Sequence, residues 1–116
     1  MDSMDSIGGF HGADARVEAD ELMEMLGRGQ AMSLIDVRTP DEFKSGHIPG
    51  AVSVPLGLLS HIDTVPFKGT IVLYCASGMR SVKARHILSS MSIKAVDLKG
   101  GVKAWVGAGG ALAMGA

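Results

Sequence analysis

Short apolar runs alternate along this chain with segments of helical periodicity, and that alternation restricts the fold more than any other feature. The runs are Met32 to Val37, Ala51 to Val54, Thr70 to Tyr74 and Lys94 to Leu98. Thr70-Ile71-Val72-Leu73-Tyr74 suits a strand covered on both faces, because its bulky side chains occupy successive positions instead of every second one. Strands joined through helices run parallel, since a parallel pair needs a long crossover and a helix is the usual one. The expected architecture is α/β, with a mainly parallel sheet and helices on both faces.

The intervening segments carry their own boundary signals. Leu22, Met25 and Leu26 form an i, i+3, i+4 stripe behind the acidic turn Glu18 to Glu21, which predicts a helix ending at Gly27 or Gly29. Thr39-Pro40-Asp41-Glu42 reads as a capping box, with Thr39 as N-cap, Pro40 at the first helical position and Glu42 reaching back. That short helix runs to about Lys44 and stops at Gly46. Another is expected from Leu56 to His61. After the Thr70 to Tyr74 strand, Ala84, Ile87, Leu88 and Met91 line one helix face, with Arg85, His86 and Ser89 pointing outward. A last helix, about Gly101 to Val106, carries Trp105 as a packing anchor. Met23, Met25, Met32 and Met91 fall where core packing accounts for them.

At 116 residues and 47% hydrophobic content, the chain suits one domain with a real core. That domain is expected over residues 16–112. A flexible tail at 1–15, without the basic start and apolar stretch of a secretion signal, precedes it, and a short tail at 113–116 follows. The Gly/Ala-rich end from Gly107 either packs back as a cap or frays. A formal net charge of -1 argues against a nucleic-acid or acidic-membrane surface. No apolar stretch approaches the roughly 20 residues needed to cross a bilayer. One cysteine excludes an internal disulfide and any metal site built from cysteine pairs. No cofactor or metal is expected, and the cytoplasm, as a reducing compartment, is the simplest setting.

The lone cysteine, Cys75, stands at the end of the Thr70 to Tyr74 strand and opens the loop Ala76-Ser77-Gly78-Met79-Arg80 before a helix. A lone cysteine is often just a small buried hydrophobe. Here the following Gly, Arg and helix favour a nucleophile. Ala76 and Ser77 are small and Gly78 is conformationally free, so the loop can curl its amides toward one spot and hold an anion. A free thiol of pKa about 8.5 is a few per cent ionised at neutral pH; lowering that to about 6.5, worth about 2.7 kcal/mol, makes thiolate dominant. Inward amides, the helix N-terminus and Arg80 act in that direction. A thiol sealed in the apolar interior with its amides turned away would remove the enzymatic reading.

Cys75-Ala76-Ser77-Gly78-Met79-Arg80-Ser81 resembles the active-site loop of single-domain rhodaneses, sulfurtransferases that carry sulfane sulfur as a cysteine persulfide. Leu34-Ile35-Asp36-Val37-Arg38, Glu42-Phe43 and Gly46-His47-Ile48-Pro49-Gly50-Ala51 resemble the family's first signature, and Leu98-Lys99-Gly100-Gly101-Val102 with Trp105 its second. The resemblance implies a three-layer α/β/α fold around about five strands. It further implies catalysis by Cys75, substrate binding by Ala76, Ser77, Gly78, Met79 and Arg80, and supporting roles for Asp36, Arg38 and Glu42. Sulfur would pass from a donor such as thiosulfate to cyanide or a thiol. A sulfur-relay or protein-binding module, with a protein donor or acceptor, is the alternative. Phosphatases and arsenate reductases of related fold are disfavoured, because the phosphatase cradle between Cys and Arg is longer than Ala76 to Met79. His47 and His86 have no ligand cluster beside them and read as hydrogen-bonded or solvated.

Overall fold

The computed structural model describes residues 15–61 and 67–115; most of the expected N-terminal tail, residues 1–14, lies outside the described residues. The elements run β1 (Arg16–Val17), α1 (Ala19–Gly27), β2 (Met32–Asp36), α2 (Pro40–Ser45), β3 (Val52–Ser53), a 3-10 helix (Leu56–His61), β4 (Thr70–Tyr74), α3 (Met79–Ser90), β5 (Val96–Leu98) and α4 (Gly101–Gly107). The five strands form one sheet in the order β1-β5-β4-β2-β3, with every pairing parallel. β4, which delivers the cysteine, is central.

Side-chain alternation along the strands divides the core into two layers. Val72 and Tyr74 of β4 join Leu34, Val96 and Leu98 beneath α1 and α4, which contribute Leu22, Met25, Val102 and Trp105. Ile71 and Leu73 point the other way, joining Ile35, Val37 and Leu59 beneath Ala84 and Leu88 of α3. Each fully buried Leu or Val stabilises the fold by about 1.5–3 kcal/mol, so both helical layers are held mainly by apolar burial. The expected three-layer α/β/α sandwich is observed.

Local chemistry sets the ends of α2. The Thr39 hydroxyl accepts the Glu42 amide at 3.2 Å, while the Glu42 carboxylate accepts the Thr39 amide at 3.0 Å. At the other end of the chain Trp105 Nε1 donates to the Ala111 carbonyl at 2.8 Å, and His47 and Ala113 exchange backbone bonds at 2.8 Å each. Gly115 N donates to the Lys44 carbonyl at 2.9 Å, so the Gly/Ala segment packs back against the domain.

Several elements differ from expectation. β1 is too short for any periodic signal and exists because Arg16 and Val17 pair with Asp97 and Leu98. β5 begins at Val96, not Lys94. Arg85 does not point outward: its Nε donates to Asp97 Oδ1 at 2.8 Å, because the fully buried Asp97 carboxylate needs cationic partners. Among the described residues no helix is long and apolar enough to cross a membrane.

Candidate active site

The period-2 alternation of β4 carries one residue past the strand and directs Cys75 into the α3 layer, where it is 1% exposed. Its sulfur therefore lies at the floor of the loop, not at an open surface. The loop nevertheless curls inward. Gly78 adopts a left-handed φ of 106° as the N-cap of α3, and its amide donates to Cys75 Sγ at 3.1 Å. Ser81, fully buried one turn into the helix, places its Oγ 3.7 Å from the sulfur, and its hydroxyl donates to the Gly78 carbonyl at 3.2 Å. Burial pushes the thiol pKa up. The Ser81 hydroxyl and the amides of Ser81, Gly78 and Ser77 outweigh that effect and hold it below its ordinary value.

The loop is braced from the opposite side by α4. Val102 N donates to the Cys75 carbonyl at 2.8 Å and Lys103 N to the Ala76 carbonyl at 3.1 Å. These are orphan donors of the helix's first turn, used as a clamp on the loop backbone. Gly101 makes the approach possible: its φ is 61°, and a Cβ there would stand 2.6 Å from the Ala76 carbonyl oxygen. Sequence reasoning assigned site roles to neither Gly101 nor Ser81. The available signals were the consecutive glycines before α4 and a serine on the core-facing side of α3.

Around the rim the charges are paired. Arg80 forks onto Glu42 at 2.8 and 3.0 Å. That hydrogen bond, helped by Thr39, holds the Glu42 carboxyl down to about 2 against the opposing effect of burial. Asp36 and Arg38 form a separate buried pair, Nη2 to Oδ2 at 2.7 Å and Nε to Oδ1 at 3.0 Å. Arg38 Nη2 also donates to the Gly46 carbonyl at 2.7 Å, and the guanidinium carbon lies 5.7 Å from the Tyr74 ring centroid. Asp36 and Arg38 thus tie the end of β2 to the start of the next loop, while Glu42 reaches Arg80. Ala76 and Ser77 complete the loop wall, and Met79 projects from its edge with 81% exposure. His47 stacks on Phe43 with ring centroids 3.7 Å apart and its Nδ1 lies 2.9 Å from the Phe43 carbonyl; His86 is exposed.

A parallel α/β sheet whose central strand ends in a cysteine under an inward-curled, six-residue Cys-to-Arg loop is the arrangement that the rhodanese resemblance implies. The profile of the rhodanese-like domain matches residues 18–108, and the chain belongs to that family. It is 32% identical over 91 residues to a sulfurtransferase of Allochromatium vinosum, spanning 77% of this chain and 85% of the relative. The thiosulfate sulfurtransferase PspE of Escherichia coli is 38% identical over 72 residues, which are 60% of this chain and 69% of PspE. Against the probable adenylyltransferase/sulfurtransferase MoeZ of Mycobacterium tuberculosis, identity is 38% over 89 residues, 73% of this chain but only 23% of that protein. A solved rhodanese-like domain protein from Staphylococcus aureus superposes with a TM-score of 0.71 at 29% identity, covering 87% of this chain and 98% of that one.

Proposed function

We infer that the domain transfers sulfane sulfur in two displacements through Cys75. The Cys75 thiolate attacks the outer sulfur of thiosulfate, the sulfur-sulfur bond breaks, and sulfite leaves with the electron pair while a Cys75 persulfide remains. Cyanide or a thiolate then attacks the outer persulfide sulfur, returning the electron pair to Cys75. The observation that carries this reading is the Gly78 amide donating to Sγ at 3.1 Å, with the Ser81 and Ser77 amides acting in the same direction, which favours an anion at that atom. Ala76, Ser77, Gly78 and Met79 form the donor's cradle, and Arg80 steadies the donor's negative charge by sharing its fork with Glu42. Asp36 and Arg38 hold the surroundings in shape. The thiosulfate specificity draws support from the likeness to the thiosulfate sulfurtransferase PspE.

Cys75→Ser is expected to abolish thiosulfate:cyanide transfer and the gain of one sulfur atom in the intact mass; retained transfer would refute the assignment. A relay function is a second reading, favoured by the relative MoeZ, in which the matching region is a minor part of a longer adenylyltransferase/sulfurtransferase. A persulfide formed only with a cysteine desulfurase and cysteine, and not with thiosulfate, would decide for the relay.

A further inference from the structure

Val106 of α4, with Val102 and Lys103 a turn before it, and Glu42 with Ser45 of α2 flank a depression of about 410 Å³ that Arg38 also lines. Its remaining side is built by the Gly/Ala-rich segment, which brings Leu112 over Gly46. Trp105 Nε1 holds the Ala111 carbonyl, His47 bridges to Ala113, and a Cβ on Gly46 would stand 3.1 Å from Leu112 Cδ1. Val106 and Leu112 are 49% and 39% exposed, so they offer uncovered apolar surface to this space. No residue of the Cys75 to Arg80 loop lines it, and a ligand there needs no access to the sulfur.

The polar groups of the depression are unequally satisfied. Arg38 is 7% exposed at its side chain; its Nε and Nη2 bind Asp36 and the Gly46 carbonyl, while Nη1 donates to no described group. Among the described residues no buried side-chain nitrogen or oxygen lacks a partner, so Nη1 is the atom of this guanidinium that reaches solvent, and the depression is where Arg38 meets it. The Glu42 carboxylate is fully engaged, Oε1 by Arg80 and the Thr39 amide and Oε2 by Arg80. The Ser45 hydroxyl is turned to the Asp41 carbonyl. With Arg38 matched by Asp36 and Glu42 by Arg80, Lys103 is the lining charge that has no ion-pair partner among the described residues. We propose that the depression binds a small monoanionic carboxylic acid with a short hydrocarbon chain. Arg38 Nη1 and the Lys103 ammonium take the carboxylate oxygens, and Val102, Val106 and Leu112 cover the chain. A dianion would leave one charge unmatched, and a bare inorganic ion would leave the apolar wall uncovered. An apolar lining with a few convergent polar groups, in a space of this volume, is the usual make-up of a small-molecule site. This inference does not rest on the sulfur-transfer reading.

The test titrates isotope-labelled protein with hexanoate, hexanamide and acetate and follows amide shifts by NMR. Hexanoate is expected to saturate with a Kd on the order of 1 mM, moving the amides of Gly46, Lys103, Val106 and Leu112 together with the Arg38 Nε–H signal. Hexanamide keeps the chain without the charge and acetate the charge without the chain, and each should bind at least about fivefold more weakly. Arg38 also secures the end of β2, so its part is read from that signal and not from a substitution. Lys103→Glu should weaken hexanoate about tenfold and Leu112→Gln about threefold. Lys99 lines a separate depression beside Gly78 and Met79, so Lys99→Glu makes the same change in net charge and should leave the Kd unchanged. Hexanoate shifts that lie outside these residues or fail to saturate by about 10 mM, hexanamide binding within about twofold of hexanoate, or equal weakening by Lys99→Glu and Lys103→Glu overturns the site.

Discussion

Replacing Gly101 by Ala tests whether α4 holds the loop in its working shape. Three costs arise from the coordinates. Gly101 has φ 61°, and a left-handed conformation costs an alanine about 1 kcal/mol. The new methyl stands 2.6 Å from the Ala76 carbonyl oxygen, so the first turn of α4 must withdraw. Withdrawal stretches the bonds from Val102 and Lys103 to the Cys75 and Ala76 carbonyls, each worth about 1 kcal/mol. The sum is about 3 kcal/mol, a large share of the 5–15 kcal/mol that typical domains possess. In urea titrations followed by Trp105, the only tryptophan, the midpoint should fall by about 1.5–3 M with an unchanged slope. The folded fraction should also form the Cys75 persulfide at least about tenfold more slowly, because the amides over the sulfur are displaced. Gly107 supplies the control: a Cβ there meets nothing within 4 Å, and Gly107→Ala should be neutral or mildly stabilising. Gly101→Ala within about 0.5 kcal/mol of wild type and loading at the normal rate would refute the clamp.

Ser81→Ala removes a hydroxyl that favours the thiolate, so the pH midpoint of Cys75 alkylation by iodoacetamide should move upward; an unmoved midpoint rules Ser81 out of that role. Glu42 is held in the fold at about 2 against an ordinary 4.5, so its pairing stabilises the fold above pH 4.5 and this contribution disappears as pH falls through about 2. Because the pair is partly solvated, Glu42→Gln should cost only about 1 kcal/mol at neutral pH, with the gap to wild type closing in acid unfolding curves. Arg80→Ala should raise the KM for thiosulfate while leaving the dependence on the acceptor in place, and an unchanged thiosulfate dependence would remove Arg80 from donor binding. Since Cys75 is 1% exposed, a small methanethiosulfonate reagent should modify it far faster than a bulky aromatic disulfide, and equal rates would show the floor of the loop to be open.

The elements that were legible are those whose cause is local. The capping box at Thr39 and Glu42, the 3-10 helix at Leu56–His61 and the strand Thr70–Tyr74 appear where side-chain spacing and backbone caps place them. β1 was not legible, since two residues carry no period and pair only because β5 offers an open edge. Arg85 was misread for a related reason: a helical wheel assigns a charged residue to solvent and contains no information about a carboxylate on another strand. At the site, the curled loop followed from Gly78 and its small neighbours. The depth of the sulfur and the bracing by Gly101 did not, because both come from the packing of α3 and α4 on the sheet.

Order along the chain therefore determined the βα alternation, the helix caps and the placement of Cys75 at the end of a buried strand, because each depends on side chains and backbone groups a few residues apart. Packing decided the ion pairs between residues distant in the chain. Glu42 meets Arg80 across 38 residues and Arg16 meets Asp97 across 81, and at such separations the partners are chosen by sheet order and burial. The same packing brings the first turn of α4 onto the carbonyls of Cys75 and Ala76, so the final shape of the sulfur's surroundings exists only once the two helical layers close on the sheet.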